Sequence, residues 1–261
     1  MSSIKRTSQG QSLVTEDKAR GFGKAFAINL RIFQSRFADK AWARYFHFDL
    51  NAGSGYNDEA DCIGSPLAFL SVVHRLEVTN YRAFFVDISR DAVGALLHRP
   101  EVASDERSFV MHGDNAEFVR AIPSIIEAAG DRPNMAIGSV LVDDNGTGIP
   151  VHELADLAAA CPRLDLFINV TATGLKRAFQ ARQLRLTDII TGIEKQHWLI
   201  REPLGQFQWT MLLGRNVQVN DHRAEGFYLL ESEQGQQALE RCNYTAAELR
   251  ERYRKGQPEL F

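Results

Sequence analysis

The sequence predicts an α/β fold on a mostly parallel sheet, and three observations carry that reading. From Arg44 onward short apolar runs alternate with segments of helical period, the rhythm of βα units stacked on one sheet. The run 135–143 is almost wholly apolar, as a central parallel strand covered on both faces should be. Towards the end, the runs 207–213 and 226–231 follow one another without a helical pattern between them, which suggests an antiparallel pair at the sheet edge.

The elements follow in order. The first strand is 45–50, ended by the turn Asn51-Ala52-Gly53-Ser54-Gly55. After an unusually long loop, Ser65 caps and Pro66 preorganises a helix over 66–77. A second strand at 82–87 leads to a short helix at 91–98, and a third strand at 108–112, ended by Gly113-Asp114, leads to a helix at 115–129. The fourth strand stops at Asp143-Asp144-Asn145-Gly146-Thr147-Gly148 and is followed by a helix at 151–160. A fifth strand at 164–170 precedes one or two helices across 174–196 and then the terminal hairpin. Helices from Gln234 and from the capping box Thr245/Glu248 close the chain. This divides the chain into a basic, aromatic helical lead (1–43), a sheet domain (44–232) and a helical tail (233–261), with no internal repeat or low-complexity linker.

Composition narrows the class without identifying it. With 44% hydrophobic and 24% charged residues in 261, the chain is neither disordered, collagenous nor a disulfide scaffold. Cys62, Cys161 and Cys242 form no CxxC or Cys/His pattern and read as reduced thiols of a cytoplasmic protein; no metal site is expected. No run approaches eighteen apolar residues, and nothing marks export or a membrane span. The net charge of −3 argues against a whole-molecule grip on polyanions, so only a local basic patch would serve.

In an open parallel sheet ligands bind beyond the carboxyl ends of the strands, so the residues there matter most. Asp49 and Asn51 end the first strand, Asp87 the second, Asp114 follows the third, and Asp143, Asp144 and Asn145 follow the fourth. Gly53 and Gly55 permit positive φ and a close backbone approach. An acid after strand two can accept both hydroxyl protons of a ribose, and one after strand three an exocyclic amine, an array that suits an adenosine. It suits a diphosphate less, because the third glycine of GxGxxG is missing and acids at Asp58, Glu59 and Asp61 follow the turn. Any one of these acids is equally explained as a turn or cap residue.

Over 44–232 this pattern resembles the class I S-adenosylmethionine-dependent methyltransferases, which implies a Rossmann-like, seven-stranded, mostly parallel sheet with a C-terminal antiparallel hairpin and helices on both faces. Within that superfamily the chain looks like the three-Cys-motif partner group. The matching residues are Phe48 and Leu50 flanking Asp49, then Ala52-Gly53-Ser54-Gly55, and Gly64-Ser65-Pro66 opening the next helix. The group's D-P-x-G is similar to Asp143-Asp144-Asn145-Gly146, with Asp144 in place of proline. The resemblance implies S-adenosylmethionine as cofactor, with Asp49, Asn51, Ala52, Gly53, Ser54 and Gly55 at its methionine end. It places Asp87 at the ribose and Asp114 at the adenine, with Ile88 and Asn115 as further cofactor-binding residues beside them, and Asp143, Asp144 and Asn145 at the methyl-transfer position.

Methyl transfer from a sulfonium needs positioning first and a base only if the acceptor holds its proton; the three strand-four residues can orient or deprotonate it. The prolines and aromatic of amino-directed nucleic-acid enzymes are missing there. Cys161-Pro162 is similar to the nucleophile of C5-cytosine enzymes but ends a helix, so it reads as a structural cysteine. His112 is either a ligand contact or a strand-end histidine bonded to backbone. Residues 1–44 carry nine basic side chains against three acids, interleaved with Phe22, Phe26, Phe33, Phe37 and Trp42. They can grip phosphates and stack bases, or form a cationic amphipathic helix docked on the main domain. Lys176, Arg177, Arg182 and Arg185 add a second basic cluster within 176–185. The expected function is therefore a cytoplasmic methyltransferase acting on nucleic acid. The alternatives are a non-catalytic docking protein with the same fold, acting through a protein partner, and a nicotinamide-dependent Rossmann oxidoreductase.

Overall fold

The computed structural model describes residues 15–37, 40, 42–58, 61–143, 148–171, 186–203, 209–217, 223 and 226–242. Among the described residues eight strands form one sheet: β1 (Tyr45–Asp49), β4 (Tyr81–Asp87), β5 (Ser108–His112), β6 (Ile137–Val142), β7 (Leu164–Thr171), β8 (His197–Arg201), β9 (Trp209–Arg215) and β10 (Phe227–Leu229), in the order β10-β8-β9-β7-β6-β1-β4-β5. The first five run parallel, β9 lies antiparallel between β7 and β8, and β10 pairs antiparallel with β8. The helices are α1 (Thr15–Phe37), α2 (Ser65–Arg75), α3 (Arg90–Leu97), α4 (Pro100–Ala103), α5 (Asn115–Ala128), α6 (Val151–Ala160), α7 (Leu186–Gly192) and α8 (Glu233–Cys242).

The predicted α/β class and the first five strands stand, with shifts of one or two residues at their ends. The terminal hairpin is corrected. The strand beginning at Trp209 does not pair with 227–229; it is inserted beside β7, and His197–Arg201, to which the sequence pattern assigns no element, is an eighth strand between them. A five-residue run is too short for periodicity to separate strand from helix or loop, which is why it escaped the pattern. The long loop after Gly55 contains a small hairpin, β2 (Tyr56–Asn57) with β3 (Cys62–Ile63), closed at its base by Gly64 N–H donating to Gly55 O at 2.8 Å. The helix expected from Thr245 and the basic cluster 176–185 lie outside the described residues.

Alternation along the strands builds two cores. Phe46, Phe48, Phe84, Val86, Val140, Val142, Leu166 and Ile168 face α5, α6 and α8. Tyr45, Ala83, Phe85, Leu141 and Phe167 face α1 and α2. Helix α1 reads as docked: Phe22, Phe26, Leu30 and Phe33, at helical spacing, are buried, with Phe26 edge-on to Phe167 at 5.9 Å and Phe33 edge-on to Tyr45 at 5.4 Å. Burying each such ring contributes roughly 2–3 kcal/mol of hydrophobic free energy. Three of the five lead aromatics are therefore core residues and present no face for base stacking. Lys24, Arg31 and Arg36 remain exposed on α1, and Trp42 is 58% exposed.

Polar groups lock the helix down. Asn29 Nδ2 donates to Asp165 Oδ2 at 2.8 Å, Arg215 Nη2 donates to Asn29 Oδ1 at 3.1 Å, and Arg215 pairs with Asp165, all buried. Lys195 Nζ donates to Leu164 O at 2.8 Å, closing the polar cluster at the amino end of β7. Among the described residues no helix is long and apolar enough to cross a membrane.

Candidate functional site

The register of β1 with its neighbours sets the site's shape. Asp49 stands level with Phe85 of β4 and Leu141 of β6, so Asp87 and Asp143 lie two residues further along the flanking strands, about 6.6 Å higher. All three share the parity of the α1/α2 face, which makes Asp49 the floor of a well walled by two further acids. Asp49 is fully buried. Its Oδ1 accepts the Asn51 N–H at 3.3 Å, while Oδ2 has no partner among the described residues. Burial raises its carboxyl to about 7, with the charges of Asp143 and Asp87 adding to the rise and the nearby Ser65 hydroxyl and the Asn51 N–H opposing it.

The turn after β1 is fastened to the second wall. Gly53 and Gly55 have φ of 62° and 75°, and the Gly53 N–H donates to Asp87 Oδ2 at 2.8 Å. Asp87 Oδ1 accepts from Ser89 N–H at 2.8 Å. Each carboxylate oxygen accepts two hydrogen bonds, so both keep capacity for a further donor. Ala52 is buried and its N–H donates to Val86 O, tying the turn to β4.

On the other face of the sheet a cleft of about 480 Å³ opens against Leu50, Asn51, Ile88, Gly113, Asp114, Asn115, Ala116 and the segment 148–153. That volume suits a ligand of nucleoside size. Ile88 is 64% exposed at its rim. Asp114 caps α5 through Oδ1, which accepts from Ala116 and Glu117 N–H, and Asn115 donates to Gly148 O at 3.3 Å. The His112 ring meets Ile88 O at 3.0 Å, a strand-end histidine bonded to backbone. Asn51 joins the well to the cleft: it lines the cleft and its Oδ1 accepts the Asp143 N–H at 3.1 Å.

Asn169 is a site residue that the sequence reading missed. It stands on β7 level with Asp143, by extension of the Ile168–Val142 pairing, and donates Nδ2 to Asp143 Oδ1 at 2.5 Å. A carboxylate only accepts, so the amide nitrogen must face it, and Asn169 Oδ1 is left buried without a donor among the described residues. The signal was present as one amide at an alternating position of the strand Leu164–Thr171. Such an orphan costs about 1–3 kcal/mol. Asn169→Leu is therefore expected to leave the urea midpoint equal or higher; a loss beyond about 2 kcal/mol would make Asn169 a structural keystone instead.

The structure thus brings together Asp49, Asn51, Ala52, Gly53, Ser54, Gly55, Asp87, Ile88, Asp114, Asn115 and Asp143. Asp144 and Asn145 lie outside the described residues. Cys161 is buried at the end of α6, on the far side of the sheet from these strand ends, and burial pushes its thiol up to about 11, as a structural cysteine should behave.

The chain is similar to several solved structures. Protein LPL1258 from Legionella pneumophila superposes with a TM-score of 0.57 at 8% identity, over 83% of this chain and 90% of that one. Human methyltransferase-like protein 13, solved in complex with S-adenosylhomocysteine (SAH), matches with 0.49 at 15% identity over 88% and 92%. An rRNA methylase from Streptococcus thermophilus matches with 0.39 at 10% over 72% and 96%. The order of the strands, with one reversed strand inserted next to the fifth parallel one, decides the class. The fold is the Rossmann-like class I methyltransferase fold. No protein-family model and no curated protein matches the sequence. At 8% identity the likeness to LPL1258 speaks for the fold alone.

Proposed function

We propose that the protein is an S-adenosylmethionine-dependent methyltransferase of the three-Cys-motif partner type, with nucleic acid as its acceptor. The observation that carries this is the buried Asp49 Oδ2, without a partner among the described residues, at the floor of a well beside a positive-φ glycine turn. A buried carboxylate oxygen without a donor is costly, and an ammonium such as that of the cofactor's amino-acid end satisfies it. Asp87, already oriented by two N–H groups, offers its remaining lone pairs to the ribose hydroxyls. Ile88 offers an apolar surface to the adenine, and Asp114, its Oδ1 spent on the cap, offers Oδ2 to the exocyclic amine.

When bound, the cofactor supplies an electrophilic methyl group. The protein's part is to hold the acceptor in line and take its proton; Asp143, oriented by Asn51 and Asn169, is the described group placed for that, with Asp144 and Asn145 proposed beside it. The exposed cations of α1, and the basic residues 176–185 by their sequence, support a polyanionic acceptor.

Calorimetry with SAH tests the cofactor reading. Asp87→Ala removes the carboxylate that both orders the turn and meets the ribose, and is expected to weaken SAH by an order of magnitude or more. Tighter binding of NAD than of SAH would favour the oxidoreductase instead. A labelled-methyl transfer assay across DNA, RNA and protein pools, with Asp143→Ala alongside, tests the acceptor. SAH binding with no transfer to any pool would favour a docking protein, a reading consistent with one oxygen of Asp143 already being held by Asn169.

A further inference from the structure

The glycine turn is held from behind by a residue outside the carboxylate set. Arg99, just before α4, donates its Nε–H to the Ser54 carbonyl at 3.3 Å and lays its guanidinium over the Tyr56 ring, 5.2 Å from the centroid. Its stem packs on the turn, since a β-carbon at Gly55 would stand 3.8 Å from Arg99 Cγ and 2.6 Å from Leu96 Cδ1. In a planar trans peptide the C=O and the N–H point opposite ways. Drawing the Ser54 carbonyl towards Arg99 therefore turns the Gly55 N–H to the other side of the turn. That N–H makes no hydrogen bond among the described residues, whereas the Gly55 carbonyl is taken by Gly64.

Charge points the same way. Asp49, Asp87, Asp114 and Asp143 make these strand ends hostile to an anion, yet a ligand that brings an ammonium to Asp49 as part of an amino acid also brings a carboxylate. Arg99 sets a guanidinium against the turn. The N–H of buried, positive-φ Gly55, which meets no acceptor among the described residues and is backed by a cation, is a donor that a carboxylate would satisfy.

We propose that Arg99 is a positioning residue that tunes the Gly53–Gly55 turn to receive the α-carboxylate of the cofactor on the Gly55 N–H. The inference rests on the cofactor reading above and adds to it a residue that selects for the intact amino-acid end over its decarboxylated form. Arg99 acts through the turn and through its charge.

The test is calorimetry on the full chain with two probes, SAH and its decarboxylated analogue 5′-S-(3-aminopropyl)-5′-thioadenosine, for native protein, Arg99→Met and Arg99→Lys. Arg99→Met is expected to weaken SAH by about tenfold and the analogue by less than about twofold, and Arg99→Lys, which keeps the charge without the Nε donor, to fall between for SAH. A purely structural role would weaken both probes equally. Equal losses, or no loss for SAH, overturn the inference alone, and melting curves of both variants establish that the fold persists. Failure of the native protein to bind SAH overturns the cofactor reading and the inference with it.

Discussion

Asp49→Asn is expected to raise the melting temperature of the ligand-free protein at pH 8 by roughly 5 °C or more, and at the same time to weaken SAH by at least an order of magnitude. Burial holds the Asp49 carboxyl at about 7, far above the value of about 3.9 it takes in an unfolded chain. Between these values the native state keeps a proton that the unfolded state has lost, so stability falls as pH rises through the window. The full cost of ionising the side chain, on the order of 4 kcal/mol, is reached above pH 7. Asparagine carries no charge and is spared it. The gap between variant and native protein is thus small near pH 4 and widest above 7, which melts across that range read directly. A gap independent of pH would show that Asp49 stores no such energy. The native protein should also bind SAH more tightly as pH rises through about 7, because only the ionised carboxylate matches an ammonium.

Asp165→Leu is expected to destabilise the protein by roughly 3–5 kcal/mol, since it leaves Arg215 buried without its counter-charge. Burial pushes the Asp165 carboxyl upward, and Arg215 and Lys195 oppose that. Asn29 would lose its acceptor as well, and with it the bond that ties α1 to β7. Asp165→Leu combined with Arg215→Met removes both charges and should recover most of the loss. Urea denaturation of the two single variants and the pair measures this. A double variant as unstable as the sum of the singles would mean that the two residues do not act as a unit. The lock matters for function because α1 covers the sheet face from which Asp49, Asp87 and Asp143 project.

Much of the site was legible because each acid closes an apolar run, and a strand that ends in a polar residue announces both its own boundary and the group at its tip. Asp49, Asp87 and Asp143 were found in that way, and Gly53 and Gly55 by the turn they form. Asn169 and Arg99 were not. Asn169 sits inside a strand, where one amide among apolar neighbours gives no sign of which partner it meets. Arg99 lies between two short helices and reaches the turn only through packing, at a separation of forty-five residues from Ser54. The lead aromatics show the opposite case: helical spacing predicted that they share a face, but only burial decided that Phe22, Phe26 and Phe33 turn that face to the core.

The sequence by itself determined the alternation of strands and helices, the parallel centre of the sheet and the polar residue at each strand end, because these follow from local periodicity and from where apolar runs stop. The tertiary structure decided the order of the last three strands, the eighth strand at His197–Arg201 and the depth of Asp49. Those depend on register and on which strands lie side by side, and a chain's periodicity is the same whichever neighbour it finds. A shift of two residues between parallel strands leaves the pattern unchanged, yet it places one carboxylate on the floor of a well and two on its walls.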